Sequence, residues 1–226
     1  MSLSTAARRA ASPRKALSLL LLLAALLPAS ASRAATGETR TAVRAVPSLD
    51  LARYAGRWFE IARLPNRFQK SCACCVTASY APRADGRLGV VNECTAADGR
   101  ATRAEGVARL AAPGGPASQL KVRFAPAFLS FLSAVWGDYW VLELAPDYSY
   151  ALVGSPDTAY LWILARAPSL PEETYAALLA TARSQGFDVS RVVRTPQGSQ
   201  TRPITTAPSD CGRCVLPRTG GHRLVQ

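Results

Sequence analysis

The chain has 226 residues and a formal charge of +12, but the charge is concentrated at its two ends. Residues 1–35 contain five basic side chains and no acid, and the tail from Thr195 contains four arginines and one aspartate. About +4 therefore remains between them, which is ordinary for a protein surface and does not indicate nucleic-acid binding. The single histidine, His222, gives little basis for histidine catalysis or a histidine metal site. We expect no catalytic residue, no metal and no cofactor.

Residues 1–35 have the pattern of a secretory signal peptide. A basic stretch from Arg8 to Lys15 precedes an apolar run over residues 16–27, and Ala29-Ser30-Ala31 has the small-x-small spacing of a cleavage site. The run is short for a bilayer span, although a transmembrane anchor is the alternative interpretation. No cysteine lies just after the run, at the position where a lipid would be attached, so we predict an exported protein, periplasmic or secreted, without an N-terminal lipid anchor.

Six cysteines follow the predicted signal, and an even number in an exported chain favours disulfides. They are Cys72, Cys74, Cys75, Cys94, Cys211 and Cys214. The pair Cys211-Gly212-Arg213-Cys214 has the spacing of a thioredoxin-type redox motif, but no βαβ pattern surrounds it. A redox catalyst and a four-cysteine zinc site are therefore the weaker alternatives to structural cross-links.

The predicted domain covers residues 48–197, after a short polar segment at 36–47 and before a Pro/Ser/Thr/Arg-rich tail at 198–226. It reads as short β runs separated by turn signals such as Asp85-Gly86 and Asp98-Gly99. In the fifth run, Leu120, Val122 and Phe124 alternate with polar residues. We predict an all-β fold, an eight-stranded up-and-down antiparallel barrel, with strands at 57–63, 75–82, 87–94, 103–111, 118–125, 138–145, 149–154 and 159–166.

One α-helix follows the strands and is expected to pack on the outside of the barrel. Ser169 and Glu172 have the spacing of a capping box, and Gly186 is placed to end the helix. An apolar stripe at helical spacing consists of Tyr175, Leu178, Leu179 and Ala182. Residues 187–189 then read as a short last strand.

The connection between the fifth and sixth strands is apolar and carries no charge from Pro126 to Trp136. One interpretation is a short turn tucked onto the barrel. The other is an apolar lip over residues 128–136 at the barrel mouth, which would contact a membrane or a protein partner.

Three segments, taken in order, resemble the conserved regions of lipocalins: residues 54–63, 146–153 and 161–168. The bacterial lipocalins of the outer-membrane lipoprotein type and apolipoprotein D are the members that the chain resembles most. The resemblance implies a lipocalin calyx closed at one end by Trp58, with the guanidinium of Arg166 lying on its indole and Gly56 allowing close approach. It also implies that the calyx is lined by Tyr80, Asn92, Phe124 and Trp162. Trp140 is added from its size and strand position.

The resemblance to apolipoprotein D also implies a disulfide pairing. Cys75 is expected to join Cys211 or Cys214 in the tail, and Cys94 is expected to pair with Cys72 or Cys74. Many bacterial lipocalins carry a lipid-modified cysteine after the signal, which this chain lacks. Any contact with the outer membrane would then be peripheral.

The function implied is binding and carrying of a small hydrophobic ligand, with no bond made or broken. A fatty acid or a lysophospholipid in the cell envelope, in support of membrane maintenance, is the expected ligand. Two alternatives stay open at this point. One is an exported redox or lipid-modifying enzyme, and the other is an interaction protein that uses the 128–136 lip.

Overall fold

A computed structural model of the chain describes residues 42–198. The predicted signal peptide and most of the tail, with Cys211, Cys214 and His222, lie outside the described residues. Within the described part, no helix is both long and apolar enough to cross a membrane.

Eight antiparallel strands form a closed barrel, as the sequence predicts. Each strand pairs with the next along the chain, and β8 pairs with β1, which also pairs with β2. A two-residue ninth strand adds to β1. The strands are β1 Gly56–Arg63, β2 Cys72–Pro82, β3 Leu88–Ala96, β4 Ala101–Leu110, β5 Gln119–Arg123, β6 Gly137–Leu144, β7 Tyr150–Gly154, β8 Leu161–Ala165 and β9 Val193–Arg194.

The two ends of the barrel differ because the strands alternate in direction. One end, which we call the closed end, has the short helix α1 (Leu51–Tyr54), the start of β1 and the end of β8. The opposite end, the open end, carries the connections at residues 64–71, 97–100, 124–136 and 155–160. Both the apolar 126–136 segment and the β1–β2 connection therefore lie at the open end.

Two apolar clusters lie on the two faces of the sheet, as the two-residue period of a strand requires. The inner cluster fills the closed half of the barrel and includes Trp58, Leu120 and Val153, all almost fully buried. The outer cluster joins the sheet to the helix α2 (Glu172–Ser184). Its helix side consists of Tyr175, Leu178 and Ala182, three residues of the predicted stripe.

The predicted capping box of Ser169 and Glu172 does not form at the start of α2. Pro171 occupies the N-cap position, and no side chain caps the helix there. Glu172 instead accepts hydrogen bonds from the Arg194 guanidinium, with both N···O distances 2.6 Å. Proline fits this position because the first helical amide groups have no carbonyl partner in any case. Gly186 follows the last turn with φ +89°, as predicted for the residue that ends the helix.

The predicted last strand at 187–189 is wrong. The side chain of Asp188 accepts from the Ser190 amide, which begins a 3₁₀ turn over Val189–Arg191. Phe187 is buried in the outer cluster. The strand forms a few residues later, where β9 pairs with Ala62 and Arg63 of β1.

The segment after β9 fills a gap between β1 and β2. These two strands pair directly only near the closed end, from Gly56 to Phe59. Beyond that, the Thr195 amide donates to Ile61 O over 2.9 Å, and Pro196 O accepts from the Cys75 amide over 2.9 Å. The C-terminal segment thus completes the barrel wall at the open end.

A disulfide joins Cys72 of β2 to Cys94 of β3, which is one of the two predicted partners for Cys94. Cys74 and Cys75 are also disulfide-bonded. Because Cys211 and Cys214 lie outside the described residues, the pairing of Cys75 with either of them stays a prediction.

Candidate ligand-binding site

The closed end is held by the side chain of Arg166 lying on Trp58. The guanidinium carbon is 3.8 Å from the centroid of the Trp58 ring, which is fully buried. The same guanidinium donates to four backbone carbonyls over 2.8–3.1 Å, those of Arg53, Tyr54, Ala55 and Arg57. One planar group therefore ties the end of β8 to α1 and the start of β1.

Gly56 makes this close approach possible. Its φ is +94°, a conformation that disfavours other residues, and a Cβ at this position would lie 3.3 Å from Arg166 Nη1. The Trp58 indole N–H in turn donates to Tyr54 O over 2.8 Å, so the plug is hydrogen-bonded as well as buried.

Above this floor, the inner wall becomes accessible toward the open end. Ala78 of β2, Asn92 of β3 and Ala104 of β4 lie on one face because they are register partners. Ala78 and Asn92 are half-buried and Ala104 is exposed, although this face points into the barrel. The interior is therefore packed near the closed end and open to solvent near the mouth.

Four of the five predicted ligand-binding residues lie on this inner wall. Trp162 and Tyr80 belong to the inner cluster or pack against it. Asn92 shares the face of Ala78, and Phe124 lies so close over Gly106 that a Cβ there would be 2.8 Å from its ring. Phe124 is 41% exposed, which places it at the mouth.

The structure corrects the fifth residue, Trp140, which points away from the interior. On β6, Tyr139 and Val141 belong to the inner cluster, whereas Trp140 and Leu142 pack with the outer cluster. The sequence did not reveal this because both faces of β6 are apolar and aromatic, so the alternation has no polar face to mark the outside.

Three tyrosine hydroxyls meet inside the barrel, an arrangement that no pattern in the sequence indicates. Tyr139 Oη is 2.7 Å from Tyr54 Oη and 2.8 Å from Tyr80 Oη. Burial raises the pKa of Tyr54 and Tyr139 well above the usual range and that of Tyr80 to about 12. The three hydroxyls are therefore neutral hydrogen-bonding groups.

A second missed group is the buried carboxyl of Glu60, near the mouth. Thr195 Oγ1 donates to it over 2.5 Å, and Gln69 Nε2 donates to its other oxygen over 2.5 Å. The same Gln69 side chain accepts from the Trp162 indole N–H over 3.0 Å. Desolvation by burial raises the pKa of Glu60. The network links the C-terminal segment to the predicted ligand contact Trp162.

Arg63 lies beside this network with few hydrogen bonds. It is the register partner of Trp162, so both side chains lie on the inner face. Its Nη1 atom is 3.4 Å from both Glu60 and Thr195, and its Nε atom is buried with no hydrogen-bond partner among residues 42–198. The side chain is only 15% exposed. Arg63 is therefore a cation on the inner wall with donors to spare.

The 126–136 segment has one part packed on the barrel and one part exposed as an apolar lip, so each interpretation of the sequence holds for part of it. Trp136 is tucked in: its indole N–H donates to Ser130 O over 2.8 Å, and the Arg109 guanidinium carbon lies 4.3 Å from its ring centroid. Phe128 and Phe131, in contrast, are 74% and 79% exposed. The lip thus consists of the middle of the segment, held in place by its last residue.

A closed barrel with an apolar interior, one plugged end and one open mouth is a binding site for a small hydrophobic molecule. A family model described as "Lipocalin-like domain" matches residues 49–197. The chain belongs to the lipocalin family.

Named relatives agree with this assignment. The chain is 43% identical to temperature-induced lipocalin-1 of Arabidopsis thaliana, over 73% of this chain and 88% of that protein. It is 40% identical to the outer membrane lipoprotein Blc of Escherichia coli K12, over 69% of this chain and 83% of Blc. It is 33% identical to apolipoprotein D of Mus musculus, over 67% and 79%.

Solved structures support the fold. Insecticyanin from Manduca sexta superposes with a TM-score of 0.54 at 22% identity, over 76% of this chain and 88% of that one. Apocrustacyanin C1 gives a TM-score of 0.54 at 21% identity, over 67% and 81%. At these identities the likeness concerns the barrel alone.

We predict that Trp58→Ala and Arg166→Ala both lower the melting temperature. Removing the buried indole costs about 3–5 kcal/mol because it leaves a large cavity. Removing Arg166 takes away hydrogen bonds to four backbone carbonyls at the closed end. Thermal unfolding measures both effects. A variant with the wild-type melting temperature that had only lost ligand affinity would contradict the structural role.

We also predict that Tyr139→Phe destabilises the protein more than Tyr80→Phe. Tyr139→Phe removes two hydrogen bonds and leaves the buried hydroxyls of Tyr54 and Tyr80 without a partner. Tyr80→Phe removes only one hydrogen bond. With a net value of about 1 kcal/mol per bond, the losses are about 2 and 1 kcal/mol. Chemical denaturation gives both values. Equal losses would show that Tyr139 does not bridge the other two.

Proposed function

We propose that this lipocalin binds and carries a fatty acid or a lysophospholipid in the cell envelope, in support of membrane maintenance. The observation that carries the proposal is an apolar inner wall that opens at one end, with the underbonded cation Arg63 beside the mouth. An acyl chain fits the apolar wall, and its anionic head group fits the cation.

Burial of the acyl chain supplies the driving force. Each methylene removed from water contributes about 0.8 kcal/mol, so ten of them contribute about 8 kcal/mol before costs. Association and ordering of the chain offset a large part of this gain. We therefore expect affinities in the micromolar range.

The head group is expected to lie at the mouth, because burial of an unpaired charge deeper in the barrel is costly. Arg63 offers its buried Nε and further N–H groups to a carboxylate or phosphate. Its acidic neighbour Glu60 is more easily protonated than an exposed glutamate, because burial raises its pKa. A protonated Glu60 competes less with the ligand for Arg63.

An exported location supports this function. Disulfides such as Cys72–Cys94 persist in oxidising compartments, which agrees with the predicted signal at residues 1–35. Blc, at 40% identity, is named as an outer membrane lipoprotein. We propose that this chain is likewise exported, to the periplasm or out of the cell, where lipids must cross water between membranes.

Titration with palmitate and with lysophospholipid tests the proposal through tryptophan fluorescence. We expect Trp162→Ala to weaken binding about tenfold, or about 1.4 kcal/mol, because the indole lines the inner wall. Trp140→Ala is the matched control on the outer face, and its affinity should equal that of the wild type. If neither ligand, at roughly tens of micromolar as the expected affinity requires, changes fluorescence or melting temperature, the carrier function is wrong.

Arg63→Gln tests whether Arg63 binds the anionic head group. This variant should bind palmitate more weakly than the wild type does, yet bind the neutral alcohol of the same length equally well. Equal losses for both ligands would mean that Arg63 does not hold the anion.

We further propose that the open end docks on a bilayer that contains anionic lipid. Phe128, Phe131 and Leu132 are exposed on the uncharged lip, and Phe68, 64% exposed, lies on the β1–β2 connection at the same end of the barrel. That connection also carries Arg67 and Lys70 and no acid. Apolar side chains flanked by cations are suited to the interface of an anionic membrane.

Sedimentation with phosphatidylglycerol vesicles tests the docking surface. The double variant Phe128→Ser/Phe131→Ser is expected to lose at least tenfold in vesicle affinity while it keeps the melting temperature. Val193→Ser, which alters an exposed apolar residue on β9, outside the lip, is the control. Membrane docking is wrong if the double variant binds vesicles as well as the wild type does. It is also wrong if the wild type forms dimers that the double variant does not form.

A further inference from the structure

The three tyrosine hydroxyls inside the barrel have three protons, but they make only two hydrogen bonds with one another. Tyr139 Oη is within hydrogen-bonding distance of both other hydroxyl oxygens, and the described residues offer no further partner to the three hydroxyls. Three O–H groups thus make two hydrogen bonds, whichever atom donates in each. One hydroxyl proton is left without an acceptor, and a buried polar group of this kind needs an explanation.

Tyr80 is the member best placed to hold the spare proton. Tyr139 is in the middle and already bonds to both neighbours. Tyr54 lies on α1 in the floor, is fully buried, and packs against Trp58 with a distance of 4.9 Å between ring centroids. Tyr80 is on the wall strand β2. If Tyr54 donates to Tyr139 and Tyr139 to Tyr80, each bond strengthens the next and the Tyr80 O–H points onward.

An unpaired acceptor lies on the same wall. Asn92 Oδ1 is buried and has no hydrogen-bond partner in the described part of the chain. Asn92 is two residues along β3 from Val90, the register partner of Tyr80, so the two positions are diagonal neighbours about 7–8 Å apart. Its backbone neighbour across the ladder, Ala78, is half-buried, which places Asn92 where the interior begins to open.

The Tyr80 hydroxyl as donor and Asn92 Oδ1 as acceptor, on one wall, are suited to bind a neutral ligand group that both accepts and donates a hydrogen bond. Burial keeps the tyrosines neutral, and Arg63 lies at the mouth rather than at this depth, so an anion has no counter-charge here. An alcohol meets both requirements. An acyl chain that ends in a methyl group leaves both polar atoms unpaired.

We propose that the ligand carries a hydroxyl group at or near its buried end, which accepts from the Tyr80 hydroxyl and donates to Asn92 Oδ1. This inference rests on the proposed function, because it assumes that an acyl chain enters the barrel with its head group at the mouth. It narrows the ligand class from fatty acyl lipids in general to hydroxylated ones.

The experiment compares palmitate with its ω-hydroxy analogue and with the analogues whose hydroxyl lies two and four carbons further inward. We expect at least one hydroxylated acid to bind the wild type about tenfold more tightly than palmitate does. Tyr80→Phe should abolish that preference. Tyr54→Phe is the matched control, because it removes one hydroxyl from the other end of the chain and leaves Tyr139 and Tyr80 paired; it should keep the preference.

Asn92→Leu is the second variant, and it should reduce the preference for the hydroxylated acid over palmitate because it removes the proposed acceptor. Melting temperatures report whether each variant is folded. If palmitate binds and no hydroxylated analogue binds more tightly, the inference is wrong and the proposed function stands. A preference that Tyr80→Phe and Tyr54→Phe lose alike would also overturn it. If no acid binds the wild type at all, the proposed function itself fails.

Discussion

The contact between Arg166 and Trp58 is the constraint on which the rest of the structure depends. A sheet closes into a barrel only when its last strand meets its first, and here one guanidinium stacks on the indole and binds four carbonyls across that junction. Closure removes the free sheet edges and fixes which end is plugged. The opposite end must then hold the mouth, so the direction of ligand entry follows from this contact.

Closure also divides the apolar residues between two sites. The inner face becomes a wall that packs near the plug and opens toward the mouth, while the outer face must be covered by α2. Most polar groups on the inner face are either neutral or hydrogen-bonded. The tyrosine hydroxyls have raised pKa values, and Glu60 accepts hydrogen bonds from Thr195 and Gln69. Among the described residues, the buried polar atoms of the inner wall that have no hydrogen-bond partner are Asn92 Oδ1 and Arg63 Nε, and we propose that both face the ligand.

The sequence predicted the barrel and its helix because these depend on local patterns: alternation, turn glycines and the stripe on α2. It misplaced Trp140 because β6 is apolar on both faces, and it mistook a 3₁₀ turn for a strand at residues 187–189. The tyrosine cluster and the Glu60 network were missed for another reason. Tyr54 and Tyr139 are 85 residues apart, and Glu60 and Thr195 are 135 apart, so no local pattern connects them.

Organic extraction of the protein purified from its native compartment, followed by mass spectrometry, tests the central claim most directly. We expect about one acyl lipid with an anionic head group for each folded chain, retained by the wild type and depleted in Trp162→Ala. The same extraction from Trp140→Ala should recover as much lipid as the wild type, because that residue faces outward. Recovery of no lipid, or of equal amounts from the wild type and Trp162→Ala, would contradict the claim that the barrel interior is the binding site.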